Sequence, residues 1–393
     1  MDTDLDKYIY FFASLNELGG AAMRRMLNEY GDERNIFKMS DSDVMNCPLL
    51  TKRQKDAFCK RRKEARLEAD YELLMKKNIK MTIIGRDDYP VRLTNISSPP
   101  YALFYKGRLP DNEMPYVAII GARGSSEYGS YAARLFARAL AENGIGIISG
   151  LASGIDGLAQ TAAIEAGGIS YGILGSGVDI CYPASNRRLY EELQKKGGVI
   201  SEFAPGTKPE AFRFPMRNRI ISALSDIVLV IEAKERSGTS ITVNMALEQG
   251  KDVYAVPGRI CDHLSYGCNN IIREGAGIAL SPEDIINALA GTNNSAKLSS
   301  GLQINRKNNT SLCNKDILYE RLYKKYSDDN NKSKIIALLS KNRMGIQEIR
   351  EALLSGDPEN AMPVREVMIC LSELEFDGEI ICTGGQYALN FQK

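Results

Sequence analysis

The chain has 393 residues, which at roughly 150 residues per domain predicts two or three domains. Lysine and arginine number 50 and aspartate and glutamate 49, so the net charge of +1 excludes a protein whose whole surface neutralises phosphate. The one histidine, His263, excludes multi-histidine metal sites and leaves a single possible histidine for a Ser-His-Asp triad. We expect no metal and no other cofactor.

Residues 1–80 are predicted to form a helical domain. An apolar run from Tyr8 to Leu15 follows three aspartates, where a signal peptide would be basic. We therefore expect a core helix of a cytoplasmic protein, with no membrane association. Pro48 separates two helical patterns in residues 41–62. Paired short helices with tight polar turns are typical of SAM-like or helix-hairpin-helix domains.

Residues 81–290 alternate short apolar strands with helical patterns, several of which end at glycine. The predicted strands are residues 81–85, 116–121, 144–149, 169–175, 198–201, 226–233 and 252–258. Strands that are apolar throughout and are separated by helices indicate βαβ units. The fold class is therefore α/β: a doubly wound, extended Rossmann-like parallel sheet with helices on both faces.

The C-terminal part has a different composition. Residues 291–331 are rich in asparagine, serine and lysine and are predicted to be a linker. Residues 332–393 contain three helical patterns and then two strands around Gly384 and Gly385, which is a winged-helix pattern. Acidic residues outnumber Arg350 and Arg365 on its second and third helices, so we expect it to bind protein in preference to DNA.

Glycine-rich loops follow several of the predicted strands, at the edge where parallel sheets bind ligands. Glycine allows close backbone approach, helix N-termini attract anions, and serine, threonine and arginine side chains bind phosphate oxygens. The candidate residues in these loops are Gly121, Arg123, Gly124, Ser149, Gly150, Gly154, Gly175, Ser176, Gly177, Arg217, Asn218, Arg219, Ser237, Gly238 and Thr239. Together they predict a surface for several phosphates in a row.

Some assignments within this set stay open. Arg217 and Arg219 flank Asn218 at a predicted helix start, and residues two apart diverge on a helix. One arginine is expected to face the groove and the other an acidic side chain. Asn218 is either a helix cap or a ligand. Neither the P-loop spacing GxxxxGK[ST] nor the dinucleotide fingerprint GxGxxG is present.

Six ordered motifs resemble the DprA/Smf family. They include VAIIGARGSSEYG (117–129), IISGLASGIDGLAQTAAIEAGG (147–168), FPMRNRIIS (214–222) and SGTSITVNMALEQGKDVYAVPG (237–258). The resemblance covers residues 81–282. It implies a non-enzymatic DNA-processing protein of natural transformation and recombination, which binds and protects single-stranded DNA and helps to load the RecA recombinase. It also implies a homodimer and places Arg123 in the DNA groove.

The chain departs from the family pattern at two positions. Gln160 stands where the second motif usually has histidine, which leaves a structural role but no titrating imidazole. Ala184 stands where we expect many members to have lysine. Arg187, or its neighbour Arg188, could compensate, so Arg187 joins the candidate DNA-binding residues.

Two other functions remain open from the residues themselves. Asp156 and Glu202 lie at strand or loop ends and could serve a Rossmann-like nucleotide hydrolase of the phosphoribohydrolase type. The alternative is a structural role for both residues, in which Asp156 caps a helix and Glu202 pairs with an arginine. A weaker option is a sensor that binds a nucleotide at the sheet edge and duplex DNA through the winged helix. Tyr182, Phe203, Phe212 and Phe214 are candidates for base stacking.

Overall fold

The computed structural model describes residues 3–235, 237–291, 322, 325–326, 329–340, 344–356, 362–383 and 386–389. The chain divides into two compact units, Met1–Leu302 and Gln303–Lys393. Most of the predicted linker, residues 291–331, lies outside the described residues. The predicted domain boundaries therefore remain predictions.

Six helices form the N-terminal region: α1 Thr3–Ala13, α2 Gly20–Tyr30, α3 Glu33–Lys38, α4 Asp41–Asn46, α5 Lys52–Glu64 and α6 Leu67–Lys76. Capping boxes begin α4, at Ser40, and α5, at Thr51. The predicted core helix is confirmed, since Phe11 and Phe12 of α1 are buried. Among the described residues, no helix is long and apolar enough to cross a membrane.

The N-terminal helices pack directly on the sheet that follows. The Tyr101 hydroxyl donates a buried hydrogen bond of 2.5 Å to Glu33 of α3. A Cβ on Gly20 would come within 2.3 Å of the Pro99 carbonyl oxygen, so glycine permits this contact. Arg86 forms an ion pair with the buried carboxylate of Asp6. These contacts explain why the helices and the sheet belong to one compact unit.

Nine strands form the main sheet: β1 Lys80–Ile83, β2 Ala102–Gly107, β3 Tyr116–Ile120, β4 Gly146–Ser149, β5 Ser170–Ile173, β6 Gly197–Ser201, β7 Ile227–Val230, β8 Asp252–Ala255 and β9 Gly277–Ile278. Their spatial order is β1-β2-β6-β5-β4-β3-β7-β8-β9. The pairs from β6 to β9 are parallel, as predicted. Strand β2 is antiparallel to both neighbours, and neither β2 nor β9 was predicted.

Helices cover both faces of the parallel strands, as the apolar strands predicted. They are α7 Glu127–Glu142, α8 Ile155–Glu165, α9 Arg187–Lys196, α10 Arg213–Leu224, α11 Gly238–Glu248, α12 Tyr266–Arg273 and α13 Pro282–Gly291. Val117 and Ile119 of β3 pack in a core with α7, α8 and α13. Ala118 and Ile120 pack in the other core, with α10, α11 and α12. The alternation along β3 follows from the two-residue period of a strand.

The order of the strands creates a switch point between β3 and β7. From β3 the chain builds β4, β5 and β6 on one side and then returns to place β7 on the other side of β3. The loops after β3 and β7 therefore diverge and leave a crevice at their carboxyl ends. This crevice is where the topology predicts a ligand.

The C-terminal unit contains α14 Asn330–Leu339, β10 Met344–Gly345, α15 Ile346–Gly356, α16 Val364–Phe376, β11 Ile380–Thr383 and β12 Gln386–Leu389. The three predicted helices and the antiparallel pair β11–β12 are present, and β10 also pairs with β12. The predicted turn at Gly384 and Gly385 lies outside the described residues. Ile336, Leu371 and Leu374 are buried in the core of this unit.

Candidate nucleic-acid interface

A cavity of about 440 Å³ occupies the crevice between the ends of β3 and β7. Half of the predicted site residues line it: Gly121, Arg123, Gly124, Arg217, Asn218, Ser237, Gly238 and Thr239. Gly150 lines an adjoining space of about 60 Å³, to which Arg123 and Arg217 also contribute. Loops that are distant in sequence therefore meet at one place, as the parallel sheet predicts.

Two glycines permit the close approach of these loops. Gly154 has a φ of +75°, and a Cβ there would lie 2.3 Å from the Ala122 carbonyl oxygen. A Cβ on Gly150 would lie 2.3 Å from Nη2 of Arg217. A side chain at either position would push the loop after β4 away from its neighbours. These glycines shape the cavity wall through packing.

Arg217 is the buried centre of the site, with 5 % of its surface exposed. Its Nη1 donates to the carbonyl oxygens of Gly150, at 2.8 Å, and Ile173, and its Nε donates to Asn218 at 3.0 Å. Burial lowers the pKa of Arg217 to about 10, against the opposing effect of the nearby Asp156 carboxylate. The guanidinium therefore remains charged at neutral pH and ties the ends of β4 and β5 to α10.

Asp156 lies beside this guanidinium in the first turn of α8 and is also buried. Its carboxylate accepts a hydrogen bond of 3.0 Å from the backbone N–H of Gly150. Burial raises the pKa of Asp156, while Arg217 and the Gly150 N–H act in the opposite direction. The prediction that Asp156 caps its helix is wrong, because the N-cap residue of α8 is Gly154 and Asp156 lies inside the helix, where it lines the cavity.

The structure assigns different partners to the two arginines of α10. Arg219 forms two hydrogen bonds with Glu202, at 2.7 and 2.6 Å, so the predicted pairing of Glu202 with an arginine is confirmed. Arg217 is the arginine that lines the cavity. The predicted helix start at Asn218 is wrong, because α10 already begins at Arg213. Asn218 is therefore not a helix cap, and its side-chain oxygen accepts from Arg217.

Arg123 is an exposed cation at the cavity mouth. Its guanidinium lies 5.4 Å from the centre of the Phe214 ring, and no described residue forms an ion pair with it. The ring of Tyr182, which is 44 % exposed, lies 5.5 Å from the Phe214 ring at an angle of 35°. Phe212 is 59 % exposed, whereas Phe203 is buried in the core. An unpaired cation thus stands beside accessible aromatic faces.

The remaining predicted residues lie outside these two cavity linings. Ser149 is buried and donates to the Ile119 carbonyl oxygen at 2.6 Å, and the Ser176 hydroxyl donates to the Ile180 carbonyl oxygen at 3.3 Å. Gly175 makes room for the Phe214 ring, and Gly177 for the Ala204 carbonyl oxygen. Their contact with phosphate stays a prediction, as does that of Arg187, which is exposed at the start of α9.

Gln160, at the position of the family histidine, is fully buried. Its side-chain oxygen accepts from the Leu151 N–H at 3.1 Å, and its amide nitrogen donates to the Tyr171 carbonyl oxygen at 2.9 Å. It therefore joins the loop after β4 to β5. This arrangement agrees with the structural role that an amide retains.

The helices that begin at the switch point have differently occupied N-termini. At α11 the hydroxyl of Ser237 is buried and has no hydrogen-bond partner among the described residues. At α7 the buried carboxylate of Glu232 accepts from the Ser126 N–H at 3.0 Å and from the Ser126 hydroxyl. Neither Glu232 nor the exposed cavity residue Lys234 was among the predicted site residues. Glu232 lies at the end of the predicted strand 226–233 and Lys234 directly follows it, and this position at the sheet edge was the signal that could have identified both.

Comparisons with known proteins converge on one family. The model of the family described as DNA recombination-mediator protein A matches residues 80–290. DNA processing protein DprA of Streptococcus pneumoniae is 44 % identical over 200 residues, which is 51 % of this chain and 71 % of that protein. Protein Smf of Escherichia coli is 37 % identical over 277 residues, 70 % of this chain and 73 % of that protein.

The fold agrees with a solved structure. The X-ray structure of DNA processing protein A from Streptococcus pneumoniae is similar with a TM-score of 0.62 at 35 % identity. The similarity covers 72 % of this chain and 97 % of that one. A Rossmann-like α/β fold with an N-terminal helical region is therefore shown by both the structure and the comparison.

Proposed function

The chain belongs to the family of DNA recombination-mediator protein A, and on that basis we propose that it binds and protects single-stranded DNA in natural transformation and recombination. The observation that carries the proposal is the exposed guanidinium of Arg123 beside the rings of Phe214 and Tyr182 at the cavity mouth. A cation binds phosphate, and an accessible aromatic ring stacks on an unpaired base. Paired bases of a duplex do not offer their faces in this way.

Some of the residues proposed for DNA binding can contact phosphate directly, whereas others shape the cavity. Arg123 and Lys234 present exposed charges at the cavity, and Ser237 presents a hydroxyl at the N-terminus of α11. Arg217, in contrast, already donates to backbone carbonyl oxygens. We therefore assign phosphate contact to the first three and the shape of the cavity to Arg217.

We propose that the protein acts by binding and not by catalysis. Glu202 is held by two hydrogen bonds to Arg219, and Asp156 lines the cavity but already accepts from the Gly150 N–H and lies near the Arg217 guanidinium. Neither carboxylate is placed as a free general base for a nucleotide hydrolase. Incubation with AMP should accordingly release no adenine, whereas release that Glu202→Gln abolishes would establish the hydrolase instead.

The binding proposal predicts a salt-dependent affinity for oligo-dT. The logarithm of the association constant should fall with the logarithm of the salt concentration, with a slope of about −0.7 for each phosphate contacted. Fluorescence anisotropy with labelled oligo-dT, and with a duplex of the same length, measures both affinity and preference. Undetectable binding at low salt, or equal affinity for the duplex, would contradict the proposal.

Support for a homodimer comes from one end of the sheet. Ile260 is 86 % exposed and Leu280 76 %, and Ile278 of the edge strand β9 is 50 % exposed. Apolar side chains next to an open strand edge favour association with a second copy. Leu280→Arg should therefore convert a dimer to a monomer in sedimentation equilibrium, while the exposed change Glu113→Arg should not. A wild-type monomer at all concentrations would refute the dimer.

The resemblance also suggests that the protein helps to load RecA, and we propose this as its role downstream of DNA binding. Homodimers place two DNA grooves in one assembly, which would deliver more than one segment of a bound strand. The measurement compares the rate at which RecA filaments form on single-stranded DNA bound by this protein with the rate on the same DNA without it. An unchanged rate would remove RecA loading from the function.

We propose that the C-terminal unit is a winged helix which binds protein. Support comes from its element order, with three helices, a hairpin and the added strand β10. On α16, Met368 is 50 % exposed and Phe376 92 % exposed, and the helix carries Glu366, Glu373 and Glu375. An apolar and acidic helix face is unsuited to phosphate.

A further inference from the structure

Nucleotide-binding Rossmann folds hold a phosphate at the N-terminus of the helix that follows the first strand of the parallel sheet, which is β3 in this chain. Backbone N–H groups point outward there, and the helix dipole contributes about half a positive charge. In this chain that helix is α7, and Ser126 is its N-cap residue. The position is already occupied by an anion that belongs to the protein.

That anion is the carboxylate of Glu232, which is 2 % exposed. It accepts from the N–H of Ser126 at 3.0 Å and from the Ser126 hydroxyl, while the hydroxyl oxygen accepts from the Gly129 N–H at 3.0 Å. A Cβ on Gly129 would lie 2.1 Å from the carboxylate, so glycine at this position provides its space. No described residue forms an ion pair with Glu232, and the start of α7 provides its partners.

The neighbouring α11 offers the opposite arrangement. Its N-cap residue Ser237 has a buried hydroxyl without a partner among the described residues, and Lys234 lies at the same cavity. A phosphate that approached α7 would meet the charge of Glu232, whereas one that approached α11 would meet an unused donor. The N-terminus of α7 therefore repels an anion, whereas the N-terminus of α11 can bind one.

We propose that Glu232 is a specificity-determining residue, whose carboxylate replaces a phosphate at the N-terminus of α7 and keeps free phosphate and nucleotides from binding there. The phosphodiester contacts then fall to Arg123 and Lys234 at the cavity mouth. Glu232 also positions the loop that carries Arg123, because it joins the end of β7 to Ser126. The inference rests on the proposed function for the identity of the ligand.

The test removes the Glu232 carboxylate from the N-terminus of α7 and adds inorganic phosphate. In thermal unfolding, inorganic phosphate should stabilise Glu232→Ala more than it stabilises wild type, each compared with chloride at the same ionic strength. Phosphate should also weaken oligo-dT binding by this variant about tenfold, and that by wild type less than twofold. Glu127→Gln removes an exposed acid from the first turn of the same helix and should behave as wild type.

A second, more conservative variant keeps the test decisive if Glu232→Ala fails to fold. Glu232→Gln retains the volume and the acceptor for the Ser126 N–H but loses the charge, so phosphate should stabilise it more than wild type and less than Glu232→Ala. If phosphate affects neither variant more than wild type, the proposal is wrong. If wild type fails to bind oligo-dT, the proposed function fails, while the thermal comparison still decides the role of Glu232.

Discussion

Arg123→Ala should weaken the binding of oligo-dT by roughly 30- to 160-fold, because a charge-assisted hydrogen bond to phosphate contributes about 2–3 kcal/mol. Arg123 is exposed at the cavity mouth, has no ion pair with a described residue, and lies 5.4 Å from the Phe214 ring centre. Its removal therefore costs little stability and leaves the cavity intact. Fluorescence anisotropy at low salt gives the dissociation constants of both proteins.

Two controls separate this effect from bulk charge. Arg138→Ala removes an exposed arginine from the same region, on α7, and should change the affinity by less than twofold. Arg123→Lys keeps the charge but loses the planar donor pair, so it should restore only part of the affinity. The salt dependence of Arg123→Ala should be shallower by about 0.7 if one phosphate contact is lost. Equal affinities of Arg123→Ala and wild type would contradict the assignment.

Arg217→Ala should lower the free energy of unfolding by about 3–5 kcal/mol, the usual loss when one of two opposite buried charges that interact is removed. The change leaves the buried carboxylate of Asp156 without its cation. It also leaves the carbonyl oxygens of Gly150 and Ile173 without the donor that joins them. Urea denaturation followed by circular dichroism measures the difference from wild type.

The pH dependence of the stability lost in Arg217→Ala tests whether the carboxylate of Asp156 causes that loss. Burial raises the pKa of Asp156 above its ordinary value, so the folded chain binds this proton more tightly than the unfolded chain does. Its contribution to stability is fully present below the ordinary pKa and is lost as the pH rises through the raised one. Without Arg217 that pKa rises further, so Arg217→Ala should be less destabilised at acidic than at neutral pH.

Two further variants check this explanation. The double variant Asp156→Asn with Arg217→Met should be destabilised by less than the sum of the single changes, because neither buried charge remains alone. Arg219→Ala breaks an ion pair with Glu202 that is only partly buried, and it should lose less stability than Arg217→Ala. A pH-independent loss in Arg217→Ala would show that the carboxylate is not responsible.

Local patterns were sufficient to predict the parallel core of the sheet. The central residues of the predicted strands, such as residues 227–231, are apolar throughout, and only a strand covered on both faces requires that composition. Strand β2 escaped prediction because its antiparallel place between β1 and β6 depends on pairing with distant residues. The start of α10 at Arg213 was missed because Phe212 and Pro215 do not resemble a capped helix start.

The sequence by itself determined the fold class and the glycine-rich edge of the sheet, because these depend on periodicity and motif spacing, and its resemblance to a known family implied the candidate role of Arg123. Only the tertiary structure decided that Arg219 binds Glu202 while Arg217 is buried beneath the cavity. It alone placed Glu232 at the start of α7. Partners far apart in the chain meet through packing of the sheet and its helices, and no local pattern records which acid meets which donor.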